Sequence, residues 1–218
     1  MARTVAPGNP HHIIQRGNRR QQTFFSNDDY QMYMDFMAAW CDQHHVDIWA
    51  YCLMPNHVHL IAVPETKEGL SRAIGEAHRR YTREINLREN WRGYLWQGRF
   101  SSFIMDERYL VACARYVELN PVRAGLVKKP DNWRWSSAWA HVNGRKDKLV
   151  NPAHLLRIVE GNWNDFLSEK SPDSDIKKLR KHERTGRPLG SEPFIEKLEQ
   201  ITGRRLKPCR AGRKKKKK

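Results

Sequence analysis

The sequence predicts an α+β domain with helices packed on one face of a small antiparallel sheet. Three observations carry this. Apolar residues recur at spacings of three to four in three separate segments, the period of a helix. Short runs rich in β-branched and aromatic residues lie between them, and two of these runs are joined by the tight turn Met54-Pro55-Asn56. The resulting order, β, α, β-β hairpin, α, β, α, sets helices between antiparallel strands. The chain's 218 residues suffice for one such domain plus an appendage.

The segment 11–16 (HHIIQR) reads as the first strand, ending at Gly17. The cluster Asn27-Asp28-Asp29 caps a helix over roughly 28–44, with Met32, Phe36, Met37 and Trp40 on its apolar side. Segments 46–53 and 57–63 form the hairpin; proline presets one dihedral of its turn and asparagine tolerates unusual ones. A long helix is expected over 70–88, its face drawn by Leu70, Ile74, Ala77, Tyr81 and Ile85. WQGRF at 96–100 is a loop and 103–105 a short strand. The next helix, over 107–120, is stopped by Pro121. RWSSAWAH at 134–141 offers either packing surface or base-stacking surface.

The domain is expected to end near Val150, giving a unit over 1–150 and a small basic helical extension over 151–218. In the extension, 151–161 reads as a short helix, 171–175 as a linker and RTGRPLG at 184–190 as a basic turn. A helix over 192–201 is capped by Ser191 and stopped by Gly203, and a lysine-rich end predicted to be disordered follows.

Lys plus Arg number 40 against 24 Asp plus Glu, a net charge of +16. Residues 203–218 hold ten of those basic residues and no acidic one, so the rest of the chain carries +6. A field of this sign attracts polyanions and makes their binding salt-sensitive. With eight tryptophans as well, nucleic acid is the expected partner; the competing reading is a tail that only aids solubility. No stretch approaches the roughly 20 apolar residues that span a bilayer, and the opening MARTVAPGNPHH lacks the apolar core of a secretory signal. The four cysteines, at 41, 52, 113 and 209, form no Cys-x-x-Cys pair, which speaks against a zinc ribbon or a disulfide scaffold. A cytoplasmic, nucleoid-associated protein without a membrane partner is expected.

His57 and His59 flank Val58 on a strand, so both imidazoles point to one face. Two nitrogens so placed can hold a divalent ion, with a third ligand from another element; imidazole suits transition metals, while magnesium prefers oxygen. Two ordinary histidines would give the same pattern. The continuation Leu60-Ile61-Ala62-Val63 lacks the acidic residue and further histidine of a zinc hydrolase. Tyr116 and Asn120 lie four apart on one helix and share a face. If that face meets the histidine strand, Asn120 can be the third ligand and Tyr116 can attack a metal-bound phosphate. The product would be a 5′-phosphotyrosine and a free 3′-hydroxyl. One phosphodiester replaces another, so no nucleoside triphosphate is needed, in keeping with the lack of a GxxxxGK loop. The alternative places Tyr116 at the border of the core stripe formed by Leu110, Cys113, Ala114 and Val117. Tyr81, within HRRYTR at 78–83, is the rival nucleophile, although it falls on the apolar face of its helix.

MPNHVHLIAVP at 54–64, LWQGRF at 95–100, ARYVELNPVRAGLV at 114–127, WRWSSAWAH at 133–141 and GRPLGSEPFIEKLE at 186–199 together resemble the REP-associated tyrosine transposases of bacteria, a group of single-tyrosine HUH transposases. The resemblance covers most of the chain. It implies a ferredoxin-like, RRM-like catalytic fold. It implies a Mg²⁺ or Mn²⁺ ion bound by His57, His59 and Asn120, with Tyr116 as nucleophile; in the broader family a glutamine often stands where this chain has Asn120. The implied substrate is single-stranded DNA from repetitive extragenic palindromes, folded as hairpins beside a short guide tetranucleotide. Monomer and homodimer both remain open.

Candidate DNA contacts are Arg16, Arg19, Arg20, Arg79, Arg80, Arg83, Arg99 and Arg123, each otherwise a solvated charge. Trp96 is either a base-stacking platform or a core residue. Two other classes compete: a replication initiator or relaxase with the same chemistry, and a non-catalytic repeat-DNA-binding protein. The short chain without a helicase segment disfavours the first. The presence of His57, His59, Tyr116 and Asn120 together disfavours the second.

Overall fold

The computed structural model describes residues 3–207. Most of the lysine-rich end expected to be disordered, 208–218, lies outside the described residues, as does Cys209. Four strands, β1 (His11–Arg16), β2 (Val46–Met54), β3 (His57–Pro64) and β4 (Ser101–Ile104), form one sheet in the order β2-β3-β1-β4, every pair antiparallel. The crossover helices are α1 (Asn27–Gln43) and α2 (Gly69–Arg88). This is the ferredoxin-like arrangement expected. The start of α1 is fixed by Ser26 together with Asp29 of the Asn-Asp-Asp cluster. Its hydroxyl accepts from the Asp29 amide, and the Asp29 carboxylate accepts from the Ser26 amide in return.

Strand alternation sorts the sheet's side chains into two layers. Ile13, Leu53, Val58, Leu60 and Ala62 point toward α1 and α2, where Phe24, Tyr33, Met37, Ile74 and Tyr81 complete a buried cluster. The opposite face is apolar too, and a second layer covers it. There Ala50, Cys52, Met54, Ile61 and Phe103 pack beneath α3 (Glu107–Glu118). Leu155, Val159, Trp163, Phe166, Leu167, Leu179 and Leu189 belong to the same cluster, so the C-terminal segment shares a core with the sheet.

Two local readings change and one left open is settled. Pro121 does not end the helical path but opens a short helix α4 (Asn120–Arg123), a first-turn position where its missing N–H costs nothing. WRWSS at 133–137 packs along the edge of β2: Trp135 is buried, Ser136 bridges Cys52, and Trp133 Nε1 donates to the Leu53 carbonyl at 3.0 Å. The segment 171–175 is a linker only as far as Pro172. After α5 (Ala138–Asn143), α6 (Ala153–Leu156) and α7 (Trp163–Ser168), helix α8 runs over Asp173–Thr185 and stops at Gly186 in the left-handed conformation, φ +64°.

The basic turn that follows adds to the free edge of β4. The Leu189 amide donates to Ile104, and the Asp106 amide donates to Leu189. Asp106 also caps α3 by accepting from the Tyr109 amide. A Cβ on Gly190 would lie 2.9 Å from the Asp106 carboxylate and 2.4 Å from the Phe194 ring, so this docking needs glycine. Helix α9 (Glu192–Thr202) closes a small third cluster in which Leu198 and Leu206 meet Ala6 and Ile104.

Candidate active site

Strands β3 and β1 and helix α3 meet on the sheet face opposite α1 and α2. β3 presents His57 and His59 there, with buried Val58 turned the other way. β1 lies beside it in a register that sets Arg16 opposite His57 and Ile14 opposite His59. His12, two positions further along β1, shares that face. α3 crosses above and brings the Tyr116 ring to 5.8 Å from the His59 ring and 6.3 Å from the His12 ring, both edge-on. The rings of His57 and His59 are 5.0 Å apart.

Each imidazole has a defined partner. His57 Nδ1 lies 2.6 Å from Asn56 Oδ1, an acceptor, so Nδ1 carries the hydrogen and Nε2 keeps its lone pair. Asn56 is fixed in turn: its Nδ2 donates to the Arg20 carbonyl and its carbonyl accepts from the Gly17 amide. A Cβ on Gly17 would sit 2.3 Å from the Gln21 carbonyl, so this close approach excludes any side chain. His59 Nδ1 lies 3.0 Å from His12 Nε2. Burial, with Arg16 adding to it, pushes His57 down to about 4, and burial alone takes His12 to about 3. His59 falls well below the ordinary histidine range through burial, and then through the crowding of His12 and His57 and the charges of Arg123 and Arg16. All three rings are neutral at pH 7 and retain the lone pairs that a cation needs.

Tyr116 is buried, and burial raises its hydroxyl above the usual phenol value. The adjacent Glu183 carboxyl raises it further, while Arg180 and Arg123 pull the other way. One turn beyond, Asn120 is half-buried, and its Nδ2 is buried without a hydrogen bond among the described residues. The C-terminal end of α3 is held by Glu118, whose buried carboxylate accepts from Ser137 Oγ at 2.5 Å, His141 Nδ1 at 2.6 Å and Trp163 Nε1 at 2.8 Å.

Three residues of this cluster escaped the sequence reading: His12, Arg180 and Glu183. The latter two come from α8, which packs against α3 and β4. Glu183 Oε1 stands 3.9 Å from His12 Nδ1, and among the described residues neither atom has a hydrogen bond. One ligand atom each from His12, His59 and Glu183 lies within 4.8 Å of the others, a grouping able to hold a metal ion. The donor chemistry fits a divalent cation: neutral imidazoles with a carboxylate beside them, His12 Nδ1 and Glu183 Oε1 being buried without a partner among the described residues. The signal for α8 was present in Asp173 and Asp175 at a helix start, Ile176 and Leu179 three apart, and Gly186 at the stop.

The arginines divide. Arg16 and Arg123 belong to the site, since the charge of each acts on His59 and Glu183. Arg19 and Arg20 are exposed beside the hairpin turn, both with positive φ. Arg99 joins Arg16, Gln97, Glu183 and Arg184 in lining a cleft of about 290 Å³. Arg79, Arg80 and Arg83 do not line this cleft, although Arg79 borders a neighbouring one together with Arg99. They project from α2 on the other side of the sheet, Arg79 and Arg80 both paired with Glu76 and Arg83 set against Glu84. Trp96 is a core residue, packed against Phe24, Tyr33, His78 and Tyr81. Tyr81 is fully buried and donates its hydroxyl to the Thr23 carbonyl at 2.6 Å.

Residues 9–120 match the family model described as "Transposase IS200 like". A Haemophilus influenzae protein named for the REP-associated tyrosine transposases is 28% identical over 117 residues, covering 47% of this chain and 66% of that protein. The REP-associated tyrosine transposase of Escherichia coli is 27% identical over 121 residues, covering 55% of this chain and 70% of that protein. The chain therefore spans about two thirds of the length of these relatives. A solved structure of a REP-associated tyrosine transposase bound to a REP hairpin aligns with a TM-score of 0.57 at 22% identity, over 79% of this chain and 97% of that one, and so has the same fold. Among the described residues no helix is long and apolar enough to cross a membrane. With a family match that takes in half of its length and the histidine strand, α3 and Tyr116 within that match, the chain belongs to the IS200-like transposase family.

Proposed function

We propose that this chain cuts and rejoins single-stranded DNA at folded palindromic repeats, using Tyr116 as nucleophile beside a Mn²⁺ or Mg²⁺ ion held by His57 and His59 with Asn120. One observation carries the reading: the Tyr116 ring stands 5.8 Å from the ring of His59, which lies 5.0 Å from that of His57, on a sheet face lined by Arg16 and Arg123. A bound cation of this kind polarises the phosphoryl oxygens and orients the group for in-line displacement. The phenolic oxygen of Tyr116 forms a bond to phosphorus while the bond to the 3′ oxygen breaks. The DNA 5′ end stays on the tyrosine, and the 3′ end leaves as a hydroxyl. Attack by a second 3′-hydroxyl reverses the step and restores the phenol. Tyr116 must lose its proton as it attacks, and Glu183 is the carboxyl that lies against it.

Arg16, Arg123 and the cleft with Arg99 and Arg184 supply cations for phosphates near the reacting bond. Arg19 and Arg20 extend that surface along the hairpin turn. The segment 151–218, basic at its end, acts as a DNA-gripping extension of the catalytic unit. The hairpin partner of the structure with the same fold supports a stem-loop substrate for this chain as well. The test is incubation with labelled single-stranded hairpin DNA and Mn²⁺ followed by denaturing electrophoresis. A covalent adduct is expected from the natural chain and from Tyr81→Phe, and none from Tyr116→Phe. An adduct that survives Tyr116→Phe overturns the reading.

A further inference from the structure

We propose that His12 and Glu183 are positioning residues that lock His59 into the tautomer whose Nε2 can bind a metal ion. The inference deepens the function proposed above and rests on His59 being a ligand. The geometry allows two hydrogen patterns across the 3.0 Å contact between His59 Nδ1 and His12 Nε2. In one, His12 donates. His59 then carries its hydrogen on Nε2 and cannot bind a cation there, and the bare Nδ1 of His12 faces the carboxyl oxygen of Glu183 at 3.9 Å, lone pair against lone pair. In the other, His59 Nδ1–H donates to His12 Nε2. His12, as a neutral ring, then carries its hydrogen on Nδ1 and turns it toward Glu183 Oε1, 3.9 Å away, so a hydrogen rather than a lone pair faces the carboxyl oxygen. Only this second pattern frees His59 Nε2.

The fold holds the relay rigidly. His12 is fully buried, its ring nearly parallel to that of His59 at 13° and set edge-on to Phe103 of β4. Ligating histidines commonly donate their second ring N–H to a partner that fixes ring orientation and raises basicity, and loss of that partner costs about 10–100-fold in metal affinity. Here the partner is a second histidine, and the carboxylate that anchors it comes from α8. Glu183 also interacts with the Tyr116 hydroxyl, so one C-terminal side chain touches both the nucleophile and the relay behind the metal ligand.

The test uses the full chain without metal at neutral pH. Multiple-bond ¹H–¹⁵N NMR, with His59 assigned against His59→Gln, is expected to show hydrogen on Nδ1 and none on Nε2; the reverse overturns the relay. Mn²⁺ binding is then read from the free-ion EPR signal. His12→Phe, which keeps a ring but no hydrogen bond, is expected to weaken binding about 10–100-fold. His12→Gln, which can accept from His59 and donate to Glu183, is expected to restore most of it. Equal loss in both variants, or no loss in either, overturns the relay. A larger loss in Glu183→Ala than in His12→Phe places the carboxylate on the ion itself, which also overturns it. A natural chain that binds no Mn²⁺ refutes the metal site of the proposed function, while the tautomer spectrum still decides the relay.

Discussion

Arg123 lies over the ring of Tyr116, its guanidinium carbon 4.3 Å from the ring centroid, and its Nη2 donates to the Tyr116 carbonyl at 2.5 Å. The contact exists because Pro121 opens a new helical turn after α3, folding residues 120–123 back beneath the tyrosine. A cation held against a phenol favours the phenolate that the proposed attack by Tyr116 requires. Cation–π contacts of this kind contribute about 1 kcal/mol when partly exposed. Arg123→Gln should therefore slow adduct formation about five- to tenfold with saturating DNA, and Arg123→Lys less. Single-turnover rates measure this; an unchanged rate with weaker DNA binding would make Arg123 a phosphate contact only.

Glu118 should matter for stability more than any surface charge. Its carboxylate is wholly buried and serves three donors from α5, α7 and the loop before α5. Glu118→Ala leaves the Trp163 indole N–H without a partner, while Ser137 Oγ and His141 Nδ1 fall back on the longer contacts to the Tyr51 and Ser137 carbonyls at 3.3 and 3.1 Å, so a loss of about 2–4 kcal/mol is expected. Urea unfolding gives the value. A loss below about 1 kcal/mol would mean that water replaces the carboxylate and that the end of α3 is held by packing alone.

Much of the site was legible because strand and helix periods are short-range rules. His57 and His59 share a face by alternation alone, and Tyr116 and Asn120 by one helical turn. What those rules cannot supply is which face meets which. His12 follows His11 with no motif around it, and only the register of β1 against β3 brings its ring to His59. Glu183 was hidden because α8 is charged on most of its surface, Ile176 and Leu179 being its apolar anchors, and Ser171-Pro172-Asp173 resembles a turn. The arginines of α2 show the same limit: HRRYTR looks like a phosphate grip, and the fold sets Glu76 three and four residues before Arg79 and Arg80, where it pairs with both.

Acid should destabilise the fold well above the carboxylate range. His11 and His78 lie outside the candidate metal ligands, both buried; His11 hydrogen-bonds to the Asn9 carbonyl and His78 to the Tyr33 hydroxyl. Burial holds His11 at about 4 and His78 at about 3, against roughly 6.5 in an unfolded chain. The folded values are depressed, so below about pH 6.5 the unfolded chain takes up protons that the folded one refuses. The stabilisation is complete above that pH and is lost as pH falls toward 4 and 3, at about 1.4 kcal/mol per unit for each histidine. The urea midpoint should drop clearly between pH 7 and pH 5. A flat profile would mean that both rings already accept protons within the fold.

The lysine-rich end should contribute binding without contributing chemistry, and the structure says where to cut. Leu206 is buried against Ala6, Ile104 and Leu198, and Lys207 bonds to Glu192 and Glu196 of α9. Removal from residue 203 onward would open that cluster and confuse a charge effect with a packing defect. Removal of 208–218 alone takes away seven basic residues and no acidic one, leaving the cluster intact. Each phosphate contact on single-stranded DNA adds about 0.7 to the slope of log affinity against log salt. The truncated chain should therefore bind hairpin DNA more weakly at low salt, with a slope shallower by up to about 5 if every one of those charges meets a phosphate. At saturating DNA its rate of adduct formation should stay within about twofold, since Tyr116, the histidines and α8 are untouched. Fluorescence anisotropy across a salt series, paired with single-turnover adduct assays, separates the two quantities. An unchanged slope would make the end incidental to DNA binding, and a collapsed adduct rate with normal binding would place it in the reaction itself.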